Sequence, residues 1–435
     1  MVPARGGAIA APDHPPLTVV PHPVAAPSEP PPPDVARIVI AVQALRALVY
    51  GFGAVILGSA LASEGLSDAA VGLVFSVMLA GMALTSVVVG RWGDRAGRRR
   101  VYRVLLATMG ISGAVFALTS WLPALVLAAV TGTLSTDANE SGPITSLEQA
   151  MLAEAPADAR ARLFGRYNAV AYLAGSLGAL LAGGTAALHR AIPAVPAGQR
   201  WLLAFPVAAV ACVAIAARLP SARSDRAPTH PLTGGPLTRS RRNVQRLAGL
   251  FAVDAFAGGL VVQGFLVFWF ARRYGASTEL MGVVFFAAGL LQAGSSLVAG
   301  RLAPHLGLLQ TMVFTHLPSN ILLAAVPLMP SLGSAVAVLL ARSALSQMDV
   351  PARQAFVAAI VEPSERTAAA AYTNSARYVG RPAGPAVAGV LMQRISLAAP
   401  FLVAGAVKVV YDLVIYVMFR HVLAAPDPSR PAQGD

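Results

Sequence analysis

The residues able to do chemistry in this chain stand inside long apolar runs. Arg46 lies ten residues into the run that starts at 36, and Asp254 lies eight residues past Arg246 in another run. On helices rising about 1.5 Å per residue, these positions are about 15 Å and about 12 Å deep. Charges at such depth are costly and face a cavity or a partner. Two readings of Arg46 and Asp254 therefore stand side by side. Arg46 is a solute or counter-ion contact and Asp254 a coupling carboxylate, or each belongs to a structural pair between helices. Asn374, Arg377 and Arg381 follow one another at i, i+3 and i+7 and share one helix face. Two arginines on one buried face can bind an anionic group, or they can neutralise Asp254 or Asp349. Asp137 and Glu140, with Glu148 nearby, are carboxyls that burial would bring into the range of proton carriage. Gln263 joins this set as a candidate cavity residue.

Other charges read as local structure. Asp349 and Arg353 are spaced i, i+4 around Pro351, as in an ion pair at a broken helix. Lys408 and Asp412 have the same spacing and are expected to pair with each other. His316, followed by Pro318 and Asn320, reads as polar glue. No Walker A loop, H-E-x-x-H, G-x-S-x-G or clustered cysteine pattern is found, so no enzyme, cofactor, metal site or ATP-driven pump is expected. The single cysteine, Cys212, excludes an intramolecular disulfide.

The elements that position these residues follow from composition. Hydrophobic residues make up 56% of the chain and charged residues 12%, where soluble domains carry roughly 25% charged. Mean hydropathy is +0.64. These values exclude an ordinary soluble enzyme and a disordered protein. Spans are expected at 36–61, 69–89, 101–119, 122–154, 163–187, 200–218, 246–271, 279–299, 309–329, 332–361, 368–393 and 398–421. In two of these, 122–154 and 332–361, the apolar run gives way to a polar patch that would face an internal cavity. Residues 1–35 form a proline-rich tail, with 11 of the 33 prolines by Pro33, and 422–435 form a second tail. Residues 219–245, rich in Pro, Ser, Thr and Arg, read as a linker between halves at 36–218 and 246–421.

Charge sets the expected orientation. The net charge is +13, and all basic residues but Lys408 are arginines. Arg91, Arg95, Arg98, Arg99 and Arg100 lie between the second and third spans, Arg160 and Arg162 in the next loop on that side, and Arg223, Arg226, Arg239, Arg241 and Arg242 in the linker. Positive loops stay inside, so both termini are expected in the cytoplasm, with the arginines against anionic lipid rather than nucleic acid. The Arg and Ala bias suggests a GC-rich bacterial source and hence an inner-membrane protein.

The halves repeat each other. Gly90-Arg91 and Gly97 match Gly300-Arg301 and Gly307 at equal spacing, and Arg160, Asn168, Gly178 and Gly183 match Arg366, Asn374, Gly384 and Gly389. Repeated membrane halves are characteristic of alternating-access transporters with a site between them.

The segment Gly90-Arg91-Trp92-Gly93-Asp94-Arg95-Ala96-Gly97-Arg98-Arg99-Arg100 resembles the loop signature of the major facilitator superfamily, G-x-x-x-D-R-x-G-R-[RK]-[RK]. The resemblance extends over about residues 35–421. It implies an all-α membrane protein with twelve transmembrane helices in two pseudosymmetric six-helix bundles. It also implies a gating role for Gly90, Asp94, Arg95, Gly97 and Arg98. The second copy has Pro304 and His305 in place of the acidic and basic pair, so the first copy would carry the latch. The G-x-x-x-G-P element that many proton antiporters of the family have in helix 5 falls here in helix 11, as Gly380, Gly384 and Pro385.

The expected function is secondary active transport of a small organic solute by a monomer. Protons are the candidate coupling ion and efflux the candidate direction. The buried arginines point to an anionic or zwitterionic solute. A sodium-coupled or uncoupled uptake carrier is the near alternative, and a non-transporting membrane sensor or assembly protein on the same fold is the alternative of another class.

Overall fold

The computed structural model describes residues 33–135, 142–152, 157–220, 237–362 and 365–421, with the backbone alone at 33–34, 92–95, 157–162, 300, 304 and 367. The described residues are helical, with no strand among them. Before the linker come α1 (Pro33–Ser63), α2 (Asp68–Ala96), α3 (Arg98–Leu118), α4 (Leu122–Val130), α5 (Pro143–Leu152), α6 (Ala157–Ala191) and α7 (Ala204–Ala216). After it come α8 (Arg241–Gly259), α9 (Gln263–Tyr274), α10 (Thr278–Leu306), α11 (Leu308–Ala325), α12 (Leu332–Ser343), α13 (Asp349–Ala359), α14 (Arg366–Gly380), α15 (Ala383–Arg394) and α16 (Ala399–Phe419). Nine helices among the described residues are long and apolar enough to cross a membrane. Their outer faces carry large apolar side chains such as Leu297, 74% exposed, and Val207, 72% exposed. An apolar exterior of this kind belongs in lipid.

Several expected spans are broken. The one over 122–154 becomes α4 and α5, and residues 136–141, with Asp137 and Glu140, lie outside the described residues. The one over 332–361 becomes α12 and α13, and 368–393 becomes α14 and α15, interrupted at Arg381-Pro382. Arg381 and Pro382 both keep helical φ and ψ, so the break comes from the N–H that proline lacks and the crowding of its ring against the preceding turn. The span expected from 246 begins at Arg241, inside the expected linker, and breaks between α8 and α9 at Leu260–Val262. Irregular backbone at membrane depth is tolerated where it lines a cavity, and the α12–α13 break does so through Ser346 and Gln347.

The internal repeat has a structural meaning. Gly97 between α2 and α3 and Gly307 between α10 and α11 occupy matched positions with φ of 84° and 90°. Only glycine takes such a turn without strain. Gly178 of α6 sits so close to α1 that an added Cβ would lie 1.9 Å from the Leu48 carbonyl oxygen. Its counterpart Gly384 of α15 meets the backbone of Gly259 on α8 in the same way, at 2.4 Å. Gly183 and Gly389, also matched, face across the halves. Gly183 abuts Glu279 and Gly282 of α10, and Gly389 abuts Asp68 and Ala69 of α2.

The two halves are welded at one end. Phe75 of α2 packs edge-on against Phe265 of α9, with ring centroids 6.3 Å apart. Gly58 of α1 touches Gly264 and Val267, and the Ser76 hydroxyl accepts from the Ala386 N–H at 2.7 Å. Two ion pairs cross the same seam, Arg190–Glu279 at 3.1 Å and Arg272–Asp68 at 3.6 Å. Phe265, Phe268, Trp269 and Phe270 are fully buried there. Trp269 is enclosed by Phe401 and donates its Nε1–H to the Leu397 carbonyl. One apolar core runs through this seam. A second, built on Val244, Phe251, Met312, Phe356, Ile415 and Phe419, is confined to the second half at the linker end.

Candidate functional site

A cavity of about 440 Å³ lies between the halves beneath the welded seam. The first half contributes α6 alone, through Tyr172, Gly175, Ser176 and Ala179. The second half supplies the rest of the wall. Asp254 and Gln263 reach it from the ends of α8 and α9 that flank the helix break, and Asn374, Arg377 and Arg381 line it from α14 and the turn after it. Five of the expected cavity residues thus meet on one wall.

Asp254 is the centre of this wall and is only 3% exposed. Its carboxylate accepts from Lys408 Nζ at 2.5 Å and from Arg377 Nη1 at 3.3 Å. Arg353 Nη1 stands 3.8 Å away and His316 Nε2 4.0 Å away. Arg353 is held in turn by Asp349 at 2.7 Å, the expected i, i+4 pair. The expected pair Lys408–Asp412 does not form. Lys408 turns to Asp254 on α8, while Asp412 takes the His316 Nδ1 at 2.8 Å and the Asn320 amide at 2.9 Å on α11. Spacing on α16 placed both residues on one face, but each finds a closer partner on a different neighbouring helix. His316 is the polar glue of this corner and also lines the cavity.

Arg46 is not among the residues lining the cavity. It is 2% exposed inside the first half and pairs with Glu148 of α5 at 2.6 Å. Glu148, fully buried, also accepts from the hydroxyls of Tyr102 at 2.8 Å and Tyr167 at 2.6 Å. Arg46 further donates to Gln43 and, at 3.1 Å, to Thr145, and lies over the Tyr50 ring. Within the loop signature, Arg98 is buried at the start of α3, and Arg99 donates to the Ala217 carbonyl beyond α7. Gly90 lies within α2. The side chains of Asp94 and Arg95, like Asp137 and Glu140, lie outside the described residues.

Sequence reasoning missed Tyr172, Gln292, Arg342 and Gln347 as wall residues. Their signal in the sequence is faint, since each stands alone in an apolar or small-residue stretch. Lys408 carried a clearer one, as the chain's only lysine, four residues from an aspartate and deep in an apolar run.

A helical membrane protein built from repeated halves around a polar cavity defines the class of alternating-access carriers. The family model of the Major Facilitator Superfamily matches residues 39–347, and the chain belongs to that superfamily. Over 410 residues it is 25% identical to the uncharacterized membrane protein YJR124C of Saccharomyces cerevisiae, covering 86% of this chain and 92% of that one. A mutant of the nucleoside transporter NupG shares the fold with a TM-score of 0.69 at 13% identity, covering 88% of this chain and all of that one. The human organic anion transporter MFSD10 superposes with a TM-score of 0.61 at 20% identity, over 88% of this chain and all of that one. The protein is a multi-pass membrane transporter of the superfamily and acts on a small-molecule solute.

Proposed function

We propose that this protein is a secondary transporter that carries a small organic solute through the cavity at Asp254 by rocking of its two halves. The observation behind this reading is the pairing of a polar cavity with a seam that closes, among the described residues, at one end of it. The cross-half contacts of Gly58, Gly183 and Gly389, both seam ion pairs and the Phe75–Phe265 packing lie beyond the cavity on the side away from the linker. With the arginine-rich loops inside, that seam is the outer gate and the cavity opens to the cytoplasm. The arginine-rich composition supports a bacterial inner membrane.

Proton coupling and export complete the proposal. Asp254 and His316 are titratable groups on the cavity wall, where a solute and a proton would meet. The sensor alternative has little in its favour, because a non-transporting relative has no need of a charged, solvent-accessible cavity.

The test is to lock the outer gate. Arg190→Cys with Glu279→Cys places two thiols across the seam, and native Cys212 is buried and silent. A short bis-maleimide should stop solute flux in proteoliposomes while leaving either single variant active. Full flux in the crosslinked protein would sink the alternating-access reading. Solute flux without proton movement would remove the coupling and keep the carrier.

A further inference from the structure

We infer that the solute is an organic anion whose charged group docks between Arg377 and Lys408, and that Asp254 holds this site in the solute's absence. This rests on the transport reading for its biological sense but not for its test.

The argument begins with charge. On the described cavity wall Arg353, Arg377 and Lys408 stand around two carboxylates, Asp254 and Asp349, while Arg342 and Arg381 have contacts of their own and Asp412, behind the wall, is held by His316. Asp349 is committed to Arg353 at 2.7 Å on the same helix. That leaves one carboxylate, Asp254, shared by Lys408 and Arg377 from two different helices. Buried cations are tolerated when paired and hydrogen-bonded. One carboxylate shared by two of them from different helices leaves the more exposed one, Arg377, only partly satisfied on a wall that faces the cavity.

Geometry decides where the extra anion goes. Lys408 and Asp254 are 7% and 3% exposed, so each presents only an edge to the cavity. The Arg377 side chain is 28% exposed and borders the open space. It also makes the longer of the two bonds to Asp254, 3.3 Å against 2.5 Å for Lys408. A guanidinium presents a planar fork that takes a carboxylate or sulfonate through two parallel bonds. An incoming anion therefore meets Arg377 first and competes with Asp254 for it. Asp254 is an internal stand-in for the solute's own charge.

The experiment uses the full-length protein in nanodiscs of phosphatidylcholine alone, so that no anionic lipid supplies the ligand. Thermal unfolding is followed with benzoate and benzenesulfonate, and with their neutral and cationic counterparts benzamide and benzylammonium, at fixed ionic strength. The anions should raise the unfolding temperature and the counterparts should not. Arg377→Gln should raise the half-saturating benzoate concentration at least about tenfold, a loss of about 1.4 kcal/mol. In Asp254→Ala, acetate should restore stability and acetamide should not. Should that variant fail to fold, Asp254→Asn keeps the shape, removes the competitor, and should bind benzoate more tightly than the native protein. Equal effects of anions and their counterparts, or benzoate binding that Arg377→Gln leaves unchanged, would overturn the inference. Anion binding without any flux would sink the carrier proposal and keep the site. Flux of neutral solutes with no anion binding would do the reverse.

Discussion

Two buried charge clusters occupy related places in the two halves and are built to opposite ends. In the first half, Arg46 on α1 meets Glu148, one cation against one anion, with Tyr102 and Tyr167 closing the carboxylate. That cluster is sealed, balanced and away from the cavity. In the second half, Asp254 on α8 meets Lys408, Arg377, Arg353 and His316, and the cluster forms the cavity wall. A balanced ion pair enclosed by hydroxyls fastens helices α1, α3, α5 and α6 together. A carboxylate shared by cations at the edge of a cavity leaves one of them, Arg377, for a ligand to take. Depth in the membrane is the same kind of signal in both, and only enclosure and the sharing of partners separate the fastener from the proposed binding site.

The comparison predicts its largest effect at Glu148. Glu148→Ala leaves Arg46 buried without its counter-charge, and breaking a buried pair costs about 3–5 kcal/mol. Denaturant or thermal unfolding in detergent measures it, and a loss below about 1 kcal/mol would contradict the role of a fastener. The double replacement Arg46→Met with Glu148→Leu removes both charges at similar volume and should recover most of that loss. Solute transport per folded molecule should be unchanged in the double variant.

Asp254→Asn should show the opposite profile. Its unfolding free energy should move by less than that of Glu148→Ala, because the amide oxygen of the replacement still accepts from Lys408 and Arg377 can turn its charge to the cavity water. Its transport should fall at least about tenfold, an activation difference of about 1.4 kcal/mol. Glu148→Ala hurting stability most and Asp254→Asn hurting flux most is the expected crossing. Two variants with the same ratio of the two losses would erase the distinction between the clusters.

How much of this was legible in the sequence depends on whether a feature is local or tertiary. The glycine repeats were legible at full strength. Gly97 and Gly307 share a positive φ, and the pairs Gly178/Gly384 and Gly183/Gly389 make matched close approaches, because backbone constraints recur with the fold. Membrane character, the arginine-rich loops and the set of Asp254, Asn374, Arg377 and Arg381 were also readable, since apolar context singles out a charge. Partner choice was not. Periodicity on α16 puts Lys408 beside Asp412, yet α8 and α11 each offer a nearer group. Glu148 stood out only as one of several acids, and nothing local joins it to Arg46, 102 residues earlier. The breaks in α8–α9 and α12–α13 were hidden as well, because a continuous apolar run does not report where a helix stops to line a cavity.

A third effect lies at the linker end of α8, where the helix that carries Asp254 is anchored. The Glu365 carboxylate accepts from the backbone N–H of Thr238 at 2.7 Å, Arg239 at 3.1 Å and Ser240 at 2.9 Å, and from the Thr238 hydroxyl at 2.6 Å. These bonds to its charged form draw its pKa down from 4.5 to about 2. A depressed folded-state pKa contributes stability that is complete above the unfolded value. The contribution is lost as pH falls from about 4.5 towards about 2. The native protein should lose stability over that window, and Glu365→Gln should flatten this part of the profile. Parallel acid profiles for the native protein and the variant would remove Glu365 as the anchor of α8.

The smallest effect is expected at the outer gate, and it separates the gate from both buried clusters. Arg190 is 71% exposed where it meets Glu279, so water and salt screen the pair. Exposed ion pairs contribute about 0–1 kcal/mol, and Arg190→Ala should leave the unfolding temperature nearly unchanged. The pair is formed across the halves, and in the proposed cycle it must part each time the outer side opens. Even a few tenths of a kcal/mol removed from one end state then shifts the balance between open forms. A fluorophore or spin label on each side of the seam should show more of the outward-open form in Arg190→Ala, with the effect shrinking as salt is raised. An unchanged distance distribution at low salt would mean that the glycine contacts and the Phe75–Phe265 packing hold the seam without help from charge.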